Sequence, residues 1–75
     1  MIALQQNYPN DYRHCRVLSS LEEAEAFASS VETEARRGKG LGLSEWSREN
    51  LTAAREGRET PYVLDSTGNG LRPRR

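Results

Sequence analysis

The stretch from Ser20 to Gly38 constrains the fold most, because it is a helix with both ends written into it. Ser20-Leu21-Glu22-Glu23 is a capping box. The Ser20 hydroxyl accepts from the Glu23 amide, and the Glu23 carboxylate reaches back before the first turn. Acidic residues there also complement the helix dipole. Leu21, Ala24, Phe27, Ala28, Val31 and Ala35 then recur at helical spacing. At about 100° per residue they fall within an arc of about 120°, a core-facing stripe. Glu25 and Glu32 flank that stripe on one side, Glu23 and Glu34 on the other, and Glu22 faces outward. Arg36 follows Glu32 by four residues, the order that favours a helical ion pair. Gly38 supplies the stop.

The rest of the chain must cover that stripe with little material. Leu, Ile, Val and Phe make up 13 of its 75 residues, below the roughly one fifth at which disorder enters the argument. Lys plus Arg equal Asp plus Glu at 11 each, so the high net charge of a disordered chain is missing. One thin-cored domain over residues 1–71 is expected, followed by a free basic tail over 72–75. Cys15 is the only cysteine, so no internal disulfide can staple the fold. Self-association as a homodimer, or a larger protein partner, would relieve a core this small.

Elsewhere the punctuation is clear. Residues 1–6 read as a strand with Ile2 and Leu4 on one face, and Asn7 to Asp11 as a turn. Tyr12 to Leu18 reads as a half-buried strand, with Cys15 and Val17 alternating with His14 and Arg16. Gly38-Lys39-Gly40-Leu41-Gly42 reads as a flexible connection. A second helix starts at Ser44, or at Ser47 with Trp46 and Leu51 as a staple, and stops at Gly57. Tyr62-Val63-Leu64 is a β-former triplet, followed by a turn-rich segment. Leu71 begins a short return strand that Pro73 limits. The predicted fold is α+β, in the order β-β-α-α-β. Its small, largely antiparallel sheet has about three strands, covered on one face by two helices.

The residues exclude more functions than they select. His14 and Cys15 are adjacent, so in a strand they point to opposite faces and cannot readily share a proton. The glutamates of the first helix face no second ligand set. The glycine segment lacks phosphate-loop spacing and follows a helix where such loops follow a strand. No enzyme, metal or cofactor is therefore expected. No apolar run approaches the roughly 20 residues of a membrane span. Met1 to Gln6 lacks the basic start and apolar run of a leader, so a cytoplasmic location is expected.

What remains is charge pattern and one tryptophan. Residues 19–35 carry five glutamates and no base, whereas residues 36–40 carry Arg36, Arg37 and Lys39. An acidic stripe can steer a basic protein surface, and Trp is enriched at interface hot spots. The expected function is a non-enzymatic protein-interaction module: an inhibitor, adaptor or accessory subunit of a larger protein. Glu22, Glu25, Glu32, Arg36, Arg37 and Trp46 are its candidate contacts. The alternative is a nucleic-acid-associated regulator using Arg36, Arg37, Lys39, Arg72, Arg74 and Arg75, although zero net charge argues against it.

Overall fold

Helix α1 (Leu21–Arg36) follows its sequence signals closely in the computed structural model, which describes residues 1–8, 11, 12 and 15–74. Ser20 caps it in an extended conformation and accepts from the Glu23 amide at 3.2 Å. The Glu23 carboxylate reaches back to the amide and hydroxyl of Ser19, one residue before the cap. At the other end the Gly38 amide donates to Ala35 and the Lys39 amide to Glu34. That pair of bonds is a Schellman closure with Gly38 at φ +79°. Helix α2 (Glu45–Arg55) closes in the same way at Gly57. Its cap is Ser44, which accepts from the Ser47 amide. Of the two possible starts the chain uses the first, and Trp46 therefore lies inside the first turn.

The strands are shorter and more numerous than the sequence suggests. Strands β1 (Ile2–Leu4) and β2 (Gln6–Tyr8) are two pieces of one run interrupted at Gln5. The first piece pairs antiparallel with β4 (Arg16–Leu18) in the register Ile2↔Leu18, Ala3↔Val17, Leu4↔Arg16. The second lies between β3 (Asp11–Tyr12) and β5 (Gly42–Leu43), antiparallel to both. Finally β6 (Tyr62–Leu64) and β7 (Leu71–Pro73) form a hairpin. The α+β, two-helix, antiparallel architecture is as expected, but the strands are divided among three small sheets. The turn expected over Asn7 to Asp11 is narrower, because Asn7 and Tyr8 belong to β2 and Asp11 to β3; Pro9, Asn10, the strand position of His14 and the terminal Arg75 lie outside the described residues.

Two local expectations are corrected. The register of β1 with β4 puts Leu18, not Val17, beside Ile2 and Leu4 in the core. Val17 points the other way and is 40% exposed. The second correction is at the glycine segment, whose last residue joins a ladder instead of a loose connection. Gly42 does so at φ +85°, where a side chain is strained, and a Cβ there would meet the Glu32 carboxylate at 3.1 Å.

The core gathers Ile2, Leu4, Leu18, Ala24, Ala28, Val31, Leu43 and Leu51, with Leu21, Phe27 and Ala54 at its margin. Three of its members are alanine or valine from α1, which lets the helix lie close to β1. Leu4 has no exposed surface; burying such a side chain is worth about 1.5–3 kcal/mol. Phe27 is capped by the Arg16 guanidinium, 5.2 Å from the ring centre. The cation thus lies over the ring face, a cation–π contact.

Two buried polar side chains of α2 hold the ladders together: Ser47, which the sequence offers only as a possible cap, and Asn50, which it does not mark. Ser47 is fully buried. Its hydroxyl accepts from the Gln5 amide at 2.6 Å and donates to the Gln5 carbonyl at 3.2 Å. It thus pairs the backbone at the point where β1 gives way to β2. Asn50, also fully buried, does the same between ladders. Its amide nitrogen donates to the carbonyls of Ala3 and Tyr62, and its oxygen accepts from the Tyr62 amide. β1 and β6 are not hydrogen-bonded to each other; the Asn50 side chain substitutes for a missing ladder rung.

Candidate functional site

The acidic stripe on α1 is largely engaged within the chain. Glu25 takes a two-pronged grip from Arg55 of α2, at 2.7 Å to Nε and 2.6 Å to Nη2. Arg55 hydrogen bonding holds the Glu25 carboxyl below its ordinary range. Glu32 accepts from the Leu43 amide at 3.3 Å and from Arg48 at 3.4 Å. Its partner is therefore on the second helix, and the expected intrahelical pair with Arg36 is replaced. Of the three acidic candidates only Glu22 stands exposed without a partner among the described residues. Glu25 and Glu32 instead clamp α1 to α2 and to β5 across a cleft floored by Ala28, Leu43 and Leu51.

The basic candidates separate into two groups. Arg36, Arg37 and Lys39 are exposed at the end of α1, where cations complement the helix dipole. Arg72 and Arg74 belong to the hairpin. The expected free tail is anchored as far as Arg74, because β7 continues to Pro73 and the Arg74 amide donates to the Pro61 carbonyl. The Arg74 guanidinium binds the Thr60 carbonyl and hydroxyl and lies 3.5 Å from Glu59. Arg72 donates to the Pro73 carbonyl.

Trp46 stacks flat on Tyr62, with ring centres 4.4 Å apart and planes 8° from parallel. It remains 38% exposed. Around it lie Pro61 and Pro73. This aromatic shelf adjoins a groove of about 650 Å³ and shares Thr60, Tyr62 and Arg74 with it. Its apolar lining is Met1, Ala3, Val17, Val63 and Leu64, and no residue of either helix lines it. The geometry follows from register. Ala3 and Val17 are paired across β1 and β4, so both side chains leave on the face opposite Ile2, Leu4 and Leu18. Val63 and Arg72 are likewise paired across β6 and β7 and line the same groove. Met1 is 87% exposed at its edge.

The alternation of Val17 with Leu18 was visible in the sequence, but which of the two faces α1 depends on register. Trp46 was singled out from sequence; its partner Tyr62 was not, since the two are distant in the chain. The groove required three separate segments to meet.

Reactive chemistry is sparse in this arrangement. Burial pushes the Cys15 thiol up, and the charge of Asp65 adds to that shift, so its nucleophilic thiolate form is disfavoured. The Asp65 carboxylate is held below its ordinary range chiefly by the Thr67 hydroxyl, with help from loop amides. Its hydrogen bonds shape the turn into β7. Among the described residues no three His, Cys, Asp or Glu side chains converge as a metal site. No described helix is long and apolar enough to cross a membrane. Comparison with protein-family models, with curated proteins and with solved structures finds no match for the chain.

Proposed function

We propose that the chain is a non-enzymatic, cytoplasmic protein-interaction module, an inhibitor, adaptor or accessory subunit of a larger protein. It docks through the sheet face carrying Met1, Val17 and Val63 and the adjoining Trp46 ring. The observation that supports this is an apolar sheet face with no helix over it, beside a half-exposed tryptophan. Apolar sheet faces are normally covered by another layer, and exposed aromatic anchors are typical of interface centres. The acidic helix contributes less to this reading than its sequence suggests, because Glu25 and Glu32 already have partners.

The test is affinity capture from the native host's lysate, with and without nuclease, comparing the wild type with Val17→Asp. A protein captured in stoichiometric amount, surviving nuclease and lost with Val17→Asp, supports the proposal. Capture that Val17→Asp leaves unchanged counts against this face. Sedimentation of the chain alone as a dimer would assign the face to self-association instead.

A second reading rests on Arg36, Arg37 and Lys39, which are exposed and have no carboxylate partner among the described residues. They would contact nucleic-acid backbone. Gel-shift binding that falls steeply with salt and disappears when the three are replaced by alanine would favour it.

A further inference from the structure

We infer that the groove takes an acidic, apolar segment of a partner protein, with Arg72 meeting a carboxylate of that segment. The inference rests on the docking role proposed for this face and adds the chemistry of what docks. The groove is apolar along its floor, where Met1, Val17 and Val63 offer side chains to an incoming residue. Its charged lining is of one sign. Among the described residues Arg72 and Arg74 line it, and no carboxylate does. The two arginines are not equivalent. Arg74 is held by Thr60 and lies beside Glu59, so its charge is already balanced. Arg72 is exposed, and among the described residues its guanidinium meets only the carbonyl of the next residue. That carbonyl carries no charge, so the cation at the rim is uncompensated.

Position reinforces this. Arg72 stands opposite Val63 in the hairpin, so the free cation and the apolar floor share one face of one ladder. A segment lying across Val17 and Val63 brings its own side chains within reach of that guanidinium. Arginine binds a carboxylate through two parallel bonds, which fixes orientation as well as charge. A basic segment would meet like charge at the same place. A nucleic-acid strand would satisfy Arg72 but would set its phosphates against a floor of methionine and valine.

The experiment is selection from a displayed library of short random peptides on the full chain, repeated on Arg72→Glu and on Val17→Asp. Both positions are exposed, and circular dichroism checks that each variant is folded. Selected wild-type binders are expected to combine large apolar residues with Asp or Glu. On Arg72→Glu they bind about fivefold more weakly, and fresh selection turns towards Lys and Arg. Loss of the binders on Val17→Asp places them in the groove. If they are lost on Val17→Asp but show no acidic bias, or bind Arg72→Glu equally well, the docking face stands and the acidic partner falls. If Val17→Asp leaves them bound, or no peptide is enriched, both fall. Binding of a single-stranded oligonucleotide that depends on Arg72 and outcompetes the peptides overturns the inference in favour of nucleic acid.

Discussion

Replacing Asn50 by leucine tests the central claim about how the ladders are joined. The two side chains are similar in size, so the change leaves little cavity and isolates the hydrogen bonds. Three backbone groups lose their partner: the carbonyls of Ala3 and Tyr62 and the amide of Tyr62. Each fully buried orphan costs about 1–3 kcal/mol. The Ala3 carbonyl is in that position, whereas Tyr62 is half-buried and water recovers part of its loss. The expected destabilisation is therefore about 2–5 kcal/mol, set by the Ala3 carbonyl with a smaller share from Tyr62. A chain of this length has roughly 4–11 kcal/mol in total, so the variant loses a large part of its stability. Urea unfolding followed by the fluorescence of Trp46 reads this directly, because that ring stacks on Tyr62. With a slope of about 1 kcal/mol per molar, the midpoint falls by about 2 M or more. Asn50→Asp adds a sign. Its carboxylate would face two carbonyls, which raises its folded pKa. Native protein then binds the extra proton above about pH 4, so stability falls as pH rises from there. An Asn50→Leu protein that unfolds at or above the wild-type midpoint would refute the reasoning.

Three further outcomes follow from the same structure. Ser47→Ala removes the hydroxyl that accepts from the buried Gln5 amide, whereas the Gln5 carbonyl keeps the Ser44 amide at 3.0 Å; a loss of about 1–3 kcal/mol in urea unfolding is expected. Gly42→Ala forces an alanine into positive φ and against Glu32, whereas Gly38→Ala meets open space. The first should cost more than the roughly 1–2 kcal/mol of backbone strain that the second carries, and equal midpoints would remove the Glu32 contact from the account. Glu25 and Asp65 both titrate below their ordinary range in the folded chain, held mainly by Arg55 and by the Thr67 hydroxyl respectively. Their contribution is present above the unfolded value of about 4 and is lost as pH falls through the lower folded one. The urea midpoint should drop on acidification below about pH 4, and the drop should shrink in the double variant Glu25→Gln, Asp65→Asn.

Local signals were legible where the physics is local. The capping box at Ser20, the closures at Gly38 and Gly57 and the apolar stripe of α1 depend on residues within five positions of one another, and each is realised. Misreadings occur where a partner is distant. Val17 and Leu18 are adjacent and both apolar, and only pairing with Ile2 decides which turns inward. Gly42 looks like linker until β2 lies beside it. A signal for Asn50 and Ser47 did exist. Spacing puts them on the inward face of α2 with Leu51 and Ala54, so two polar residues interrupt an apolar stripe. Polar groups on a buried face must find partners, and here the partners are strand backbone.

The same scarcity explains why the charged helix is engaged within the chain. A chain with so few large apolar residues cannot hold two helices and three small sheets together by burial alone, so its polar side chains become fasteners. Glu25 grips Arg55, Glu32 holds the Leu43 amide, and Arg74 ties β7 to Thr60. Every charge used this way is withdrawn from the surface available to a partner. Glu25 and Glu32 are engaged within the chain, whereas among the described residues no carboxylate compensates Arg72. In a domain this small, the residues free for function are those that folding leaves over. On this chain they include Val17 and Arg72 on the sheet face that neither helix lines, and Arg36, Arg37 and Lys39 at the end of α1.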